Sequence, residues 1–318
     1  MNKKVSVLLL LLFQCIVYAQ SPFITTWETT TKNESITIPT NSLETYNYSV
    51  DWGDGTITTN EIGNATHNYV VPGIHTIKIL GTFPQIYFLN SGDKDKILTI
   101  DQWGDNPWIS FQGAFWGCTR LNITNPVTGN PNLTNVTSMS SAFRGATLFN
   151  GDVSGWNVSN ITNMNSMFFT NDVFNQDLSS WDVSKVTRMG SMFSNTKAFN
   201  GNISSWNVEN VLSFESMFNG AEVFNQNLEN WNPKSATNMA RMFREAEVFN
   251  GKVTNWDVGN VTSMEEMFQR AVVFNQDISK WNVSNVTNMR SMFGAALVFN
   301  QDISAWKVGK VTTIRTMF

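Results

Sequence analysis

The stretch Val286-Thr287-Asn288-Met289-Arg290-Ser291-Met292-Phe293-Gly294-Ala295-Ala296-Leu297-Val298-Phe299-Asn300-Gln301-Asp302-Ile303-Ser304-Ala305-Trp306 decides the fold, because near-copies of it recur upstream at a fixed interval. Tryptophan stands at Trp156, Trp181, Trp206, Trp231, Trp256, Trp281 and Trp306, every 25 residues without a slip. Phenylalanine keeps the same interval from Phe143 to Phe318, and the pair Phe-Asn keeps it from Phe149-Asn150 to Phe299-Asn300. A strict period of this length marks stacked units, none of which can bury its apolar face alone.

Within one copy, Met289, Met292, Phe293 and Ala296 fall at i, i+3, i+4 and i+7, the spacing of one face of a short helix. Thr287 sits where an N-cap belongs, and Glu265 follows Thr262 by three residues in the preceding copy, as in a capping box. Phe299 to Trp306 reads as extended, with Gln301, Asp302 and Ser304 to turn or edge it. The sequence therefore predicts an α+β solenoid over 97–318, one short strand plus one short helix per 25-residue coil. The Trp and Phe columns face inward in this reading, each ring contributing about 1.5–3 kcal/mol by burial. The column Asn150, Asn175, Asn200, Asn225, Asn250, Asn275, Asn300 is expected at a buried corner, and Pro233 is expected to distort its coil.

The pattern Val-Thr-x-Met-x-x-Met-Phe-x-x-Ala-x-x-Phe-Asn-x-x-Ile-Ser-x-Trp, nearly complete from Val286 to Trp306, resembles the repeat of BspA-type leucine-rich-repeat bacterial surface proteins. Ile97 to Gly104 and Gly113 to Leu121 resemble that family's less regular first repeats. The resemblance implies a leucine-rich-repeat-like fold and attachment to host or matrix proteins, or aggregation between cells.

Residues 22–88 lack the repeat. Tyr46 to Trp52 and Ile74 to Leu80 read as strands, with Gly53-Asp54-Gly55 and Pro72-Gly73 as turns, which suggests a small β-sandwich. Val50-Asp51-Trp52-Gly53-Asp54-Gly55 and Thr66 to Ile77 resemble a polycystic-kidney-disease (PKD) domain, implying an immunoglobulin-like sandwich used as an extracellular spacer or binding module. Phe83 to Lys96 would join the two domains.

The first 19 residues read as an export signal: Lys3 and Lys4, an apolar run from Val5 to Val17, then Val17-Tyr18-Ala19 for cleavage. Cys15 does not signal lipidation, since bulky Leu12 and Phe13 precede it. The mature chain is expected to be secreted or surface-held, without a membrane span. Losing both lysines takes the formal charge from -4 to -6, and the chain has no basic footprint for nucleic acid. Cys118 then stands alone, so no internal disulfide forms. Phe318 ends within a coil and no polar capping repeat follows it; the sequence predicts either a longer gene or a frayed last coil.

Chemistry finds no foothold. The only histidines, His67 and His75, read as ordinary strand or turn residues, and Cys118 reads as a small core residue. Asp54 is read as stabilising its turn rather than binding calcium. The column Asp152, Asp177, Asn202, Asn227, Lys252, Asp277, Asp302 accepts a lysine, which no metal ladder or acid pair would. Neither an enzyme activity nor a cofactor is expected. What remains is a long surface whose outward columns vary between copies. Glu215, Glu265, Arg290 and Arg315 in one column, with Arg244 and Gln269 in another, are the candidate partner-binding residues. The expected function is adhesion to an extracellular protein or glycan, with a structural spacer as the alternative.

Overall fold

The computed structural model describes residues 20–318, and for 124–128 the backbone alone; the expected signal peptide lies outside the described residues. Alternation governs the N-terminal part. In β1 (Phe23–Thr29), Phe23, Thr25, Trp27 and Thr29 are buried while their neighbours are half-exposed, the period-two pattern of a strand with one face on a core. It is followed by β2 (Glu34–Ile38), β3 (Asn47–Asp51), β4 (Ile57–Glu61), β5 (Ala65–Tyr69), β6 (Gly73–Thr82), β7 (Ile97–Gln102) and β8 (Asn122–Thr128). A six-stranded sheet runs β4-β3-β6-β1-β7-β8, and β2 and β5 form a separate antiparallel pair. Tyr69 of β5 reaches across to the main sheet, stacking on His75 of β6 at 3.6 Å and donating its hydroxyl to the Trp52 carbonyl at 2.7 Å.

The main sheet continues across the interval between the two expected domains. β7 pairs antiparallel with β1 on one side and parallel with β8 on the other. The expected joining segment is structural: Phe83, Ile86 and Phe88 are buried, and Phe88 and Asn90 donate their amides to Ala114 and Trp116. These residues form the layer on which the first coil rests.

From there the chain winds in 25-residue coils, each hydrogen-bonded to the one before and the one after. Isolated parallel bridges link Ser138, Asn163, Arg188, Ser213, Asn238, Ser263, Asn288 and Thr313 in succession. The rings lie inside and stack: Phe168 on Phe193 at 5.8 Å, Phe174 on Phe199 at 6.0 Å, Trp206 on Trp231 at 6.2 Å. Within a coil the two Phe columns also touch, Phe193 and Phe199 lying 3.9 Å apart. From Trp181 onward each buried indole of the column finds a partner, whereas Trp103, Trp108 and Trp156, at the start of the stack, have none. Trp181, Trp206, Trp231, Trp256, Trp281 and Trp306 donate Nε1–H to carbonyls of the preceding coil, at Val153, Leu178, Ile203, Leu228, Val253 and Ile278, all within 2.8–3.1 Å.

The expected helix does not form. Among the described residues there is no α-helix, so the α+β leucine-rich-repeat solenoid with a helix in every coil is replaced by strands and tight turns alone. The amide partners show why. In 264–271, the N–H groups of Met264, Glu266, Phe268 and Arg270 point along the stack to Asn288, Arg290, Met292 and Gly294, while those of Met267, Gln269 and Ala271 close onto the carbonyl three residues back. A helix would direct every amide to the fourth residue back and leave none for the neighbouring coil. The switch of direction needs left-handed backbone at two positions, Glu266 (φ 54°) and Arg270 (φ 59°), and the same two positions are left-handed in other coils, as at Ser191 and Asn195. Such a conformation costs a non-glycine residue about 1 kcal/mol. The bonds between coils offset it. The two turns bring Met264, Met267, Phe268 and Ala271 to the core, so the apolar spacing expected of a helix is met on a different backbone.

Other details shift with it. Thr287 caps no helix; its N–H and Oγ1 both donate to the Thr262 carbonyl of the preceding coil. Glu265 does not close a capping box and instead pairs with Arg290 and Arg241. The Asn column lies at the exposed rim rather than buried, and each side chain accepts the backbone N–H of the next, as Asn200 does from Asn225 at 2.9 Å. Pro233 is buried and its coil keeps the same turn, Ala236 N–H to Pro233 carbonyl at 2.9 Å, as Val286 to Val283 does at 3.0 Å.

The indole bonds make a direct prediction. Trp206→Phe keeps most of the ring and removes the indole donor from the Leu178 carbonyl, which retains the Trp181 N–H, an expected loss of about 0.5–1.5 kcal/mol. Trp206→Ala adds a cavity and should cost about 3–5 kcal/mol. Urea unfolding measures both. Equal stability of Trp206→Phe and the parent would remove the indole bond from the account. Circular dichroism should lack the helical double minimum.

Candidate functional site

The segment that carries the ladder of amides between coils has an inner and an outer side. Methionine and phenylalanine dominate the inner positions, with alanine at the last of them except where Asn171 and Thr196 replace it. The outer positions differ from coil to coil, and all six sequence candidates lie there. The structure brings five of them into or beside one charged network. Arg241 is its hub, at 3.5 Å from Glu215, 3.6 Å from Glu265 and 3.1 Å from Glu266. Arg290 holds Glu265 at 3.2 Å, and Arg244 donates to Gln269 at 2.9 Å and pairs with Glu245 at 3.1 Å. Arg315 is exposed and, among the described residues, its side chain makes no ion pair. Glu245 also lies 3.9 Å from Arg270. These groups are partly exposed, so each pair contributes at most about 1 kcal/mol, and their main effect is to fill the face with mutually satisfied charge.

Toward the N-terminal coils the same columns carry small residues. Gly190 stands where Glu215, Glu265 and Arg290 stand further on, and Ser166 and Ser191 take the place of Arg241 and Glu266. The result is a polar notch of about 360 Å³ lined by Asn165, Ser166, Thr187, Arg188, Gly190, Ser191, Leu212, Ser213 and Glu215. Its floor is fixed by the Asn165 carboxamide, which accepts the Gly190 N–H at 2.8 Å. Arg188 lies exposed beside it with no ion-pair partner among the described residues. Sequence reading missed Arg188, Arg241 and Glu266, because it followed single columns and a helical backbone separated residues that the turns place side by side. A change of residue class within a column, visible as Asn165-Gly190-Glu215, was the available signal.

The acidic columns that could suggest catalysis serve the turns. Asp152, Asp177, Asp277 and Asp302 each accept the backbone N–H of the serine two residues on, at 2.8–3.0 Å, and Asn202 accepts that of Ser204 in the same way. Where lysine enters the column, Lys252 pairs with Glu229 at 3.6 Å. Asp54 accepts the Thr56 N–H and meets His67 at 2.7 Å. Burial would raise its pKa, yet the hydrogen bonds from His67 and Thr56 prevail and bring it down to about 2. His75 bonds to Thr29, and burial holds its pKa below the usual value. Cys118 is fully buried, and burial pushes its thiol well up, away from reactivity. No group of three or more potential metal-ligating side chains occurs among the described residues.

Fold and face together define a repeat protein built of stacked coils, with an outer surface that is periodic in backbone and aperiodic in side chain. The family model described as "Mycoplasma protein of unknown function, DUF285" matches residues 109–231 and 223–318, and the chain belongs to that family. No curated protein and no solved structure gives a significant match.

Acid should probe the turn caps. Hydrogen bonds from the Ser154, Ser179 and Ser279 hydroxyls and N–H groups, and from Ser304 N–H and hydroxyl, hold Asp152, Asp177, Asp277 and Asp302 below their usual 3.8. A depressed folded pKa gives stability that is present above the unfolded value and lost as pH falls through the folded one. Replacing all four by Asn, which caps equally well at 202, should flatten the drop in Tm between about pH 5 and about pH 2.5. An unchanged acid limb in the variant would show that these carboxylates do not report the folding equilibrium.

Proposed function

We propose that the chain is an exported binding protein that holds an extracellular protein or glycan against the outer face of its coils, with the notch around Gly190 and Arg188 at the centre of contact. One observation carries the reading. In a stack, whatever the fold requires must recur every 25 residues, so a departure confined to outward side chains answers to something other than folding. The notch is such a departure. It joins an unpaired guanidinium to hydroxyls, a carboxamide and the Glu215 carboxylate, groups that recognise polar ligands with direction. The resemblance of the repeat to BspA-type surface proteins, and of residues 22–88 to a PKD domain, supports the same setting outside the cell.

A spacer is the second reading, favoured by the self-satisfied charges between Glu215 and Arg290, which stiffen the stack and ask for no partner. An immobilised panel of matrix proteins and glycans separates the two. Capture of one component, weakened by at least about tenfold in Arg188→Glu and in Gly190→Glu, supports binding through the notch. Uniform silence sinks it and leaves the spacer. At Gly190 a Cβ would lie 3.3 Å from Asn165 Oδ1 and 3.5 Å from the Glu215 carbonyl, so the second change fills the notch while the Asn165 side chain gives way by a few tenths of an ångström.

A further inference from the structure

A second concavity, of about 470 Å³, lies in the N-terminal part, away from the coil face. Thr40, Asn41, Ser42, Glu44 and Tyr46 line one side, Ile62, Gly63 and Asn64 another, and Tyr87 closes it. The loop before β3 and the turn between β4 and β5 thus form two of its walls. Three features set it apart from an ordinary gap between loops.

The walls are fixed. Asn64 Oδ1 accepts both the N–H and the hydroxyl of Thr40 at 2.8 Å, which ties one loop to the other. The Tyr46 hydroxyl accepts the Asn41 N–H and donates to the Gln85 carbonyl, both at 2.9 Å. Buried Gln85 accepts from the Asn41 carboxamide and donates to the Gln112 carbonyl, so the loop is anchored to the layer beneath the first coil. Tyr48 closes the far turn through the Gly63 carbonyl at 2.6 Å. A site prepared this way loses little entropy when it is filled.

The rim is apolar and exposed. Leu43 is 87% accessible and Ile62 79%, more than any other large aliphatic residue of the N-terminal part. Neither position lies in a strand; Ile62 lines the opening, and Leu43 stands in the chain between the lining residues Ser42 and Glu44. The charge inside has one sign. Glu44 is the only charged lining residue, and its carboxylate has no hydrogen bond or ion pair among the described residues.

An unpaired carboxylate beside tyrosine rings and under an aliphatic rim is complementary to a cation carried on an apolar stem. We propose that this concavity binds a lysine or arginine side chain presented by an extracellular polypeptide, its charged head on Glu44 and Tyr87 and its methylenes against Leu43 and Ile62. A neutral saccharide would use the ring and the amides, and would gain nothing from the free carboxylate or the two exposed aliphatic residues. This site is independent of the coil face, and either can fail without the other.

Methyl NMR of the chain reads it directly at Leu43 and Ile62, with N-acetyl-lysine methylamide as the probe and N-acetyl-norleucine methylamide as its uncharged match. Saturable shifts at both residues are expected with the lysine probe, with affinity lower by about fivefold for norleucine and for the lysine probe on Glu44→Gln. Comparing the two probes on the unaltered chain keeps the test valid whatever the variant does. Absence of saturable shifts, equal affinity for both probes, or stronger shifts with cellobiose than with lysine each overturns the proposal, the last in favour of a sugar site.

Discussion

Every coil depends on a choice made by its amides. In the ladder segment, alternate N–H groups are committed to the neighbouring coil and the rest to a tight turn within their own. Buried amides tolerate no omission, so the choice fixes the backbone. It forces two left-handed residues into each turn pair, keeps the winding flat enough to stack, and sets ring upon ring at 5.5–6.3 Å in three columns. The aromatic columns run unbroken through the core, yet they would have no register without the ladder. The indoles from Trp181 to Trp306 add a second tie, because each reaches a carbonyl of the coil before.

Much of this was legible beforehand. The period of 25, the inward rings and the place of Cys118 in the core follow from residue type and spacing, and the structure agrees. The backbone of the turn pair did not follow. Met289, Met292, Phe293 and Ala296 are spaced alike on a helix and on two joined turns, and periodicity cannot separate the two for so short a run. No glycine column betrays the turns: glycine marks the left-handed positions only at Gly113, Gly117, Gly145 and Gly220, while Arg241, Glu266 and Ser291 among others occupy them elsewhere. Their strain is tolerated only because a neighbour above and below holds the amide in place, and a single copy of the sequence contains no trace of its neighbours. The site was half legible for the same reason: Glu215, Glu265 and Arg290 were found by their column, while Arg241 joins them only once the turns are known.

Such a scaffold separates two kinds of demand. The interior is repetitive and interchangeable, and its departures, Phe214 for methionine or Pro233 for valine, are absorbed without a change of path. The exterior is free to differ at each level. Charge fills it between Glu215 and Arg290, and a gap opens around Gly190. The N-terminal sheet follows the opposite economy, with loops knitted by Tyr46, Asn41 and Gln85 around a concavity.

The parallel pairing of β7 with β8 has a consequence for how such chains change over generations. It starts the stack from the sheet with its direction already set, and each later coil bonds only to its immediate neighbours. Unequal recombination between adjacent copies in the gene would therefore add or delete whole windings while every remaining bond finds an equivalent partner. Reach becomes a trait that drifts or is selected by itself, at no cost to the module that begins it.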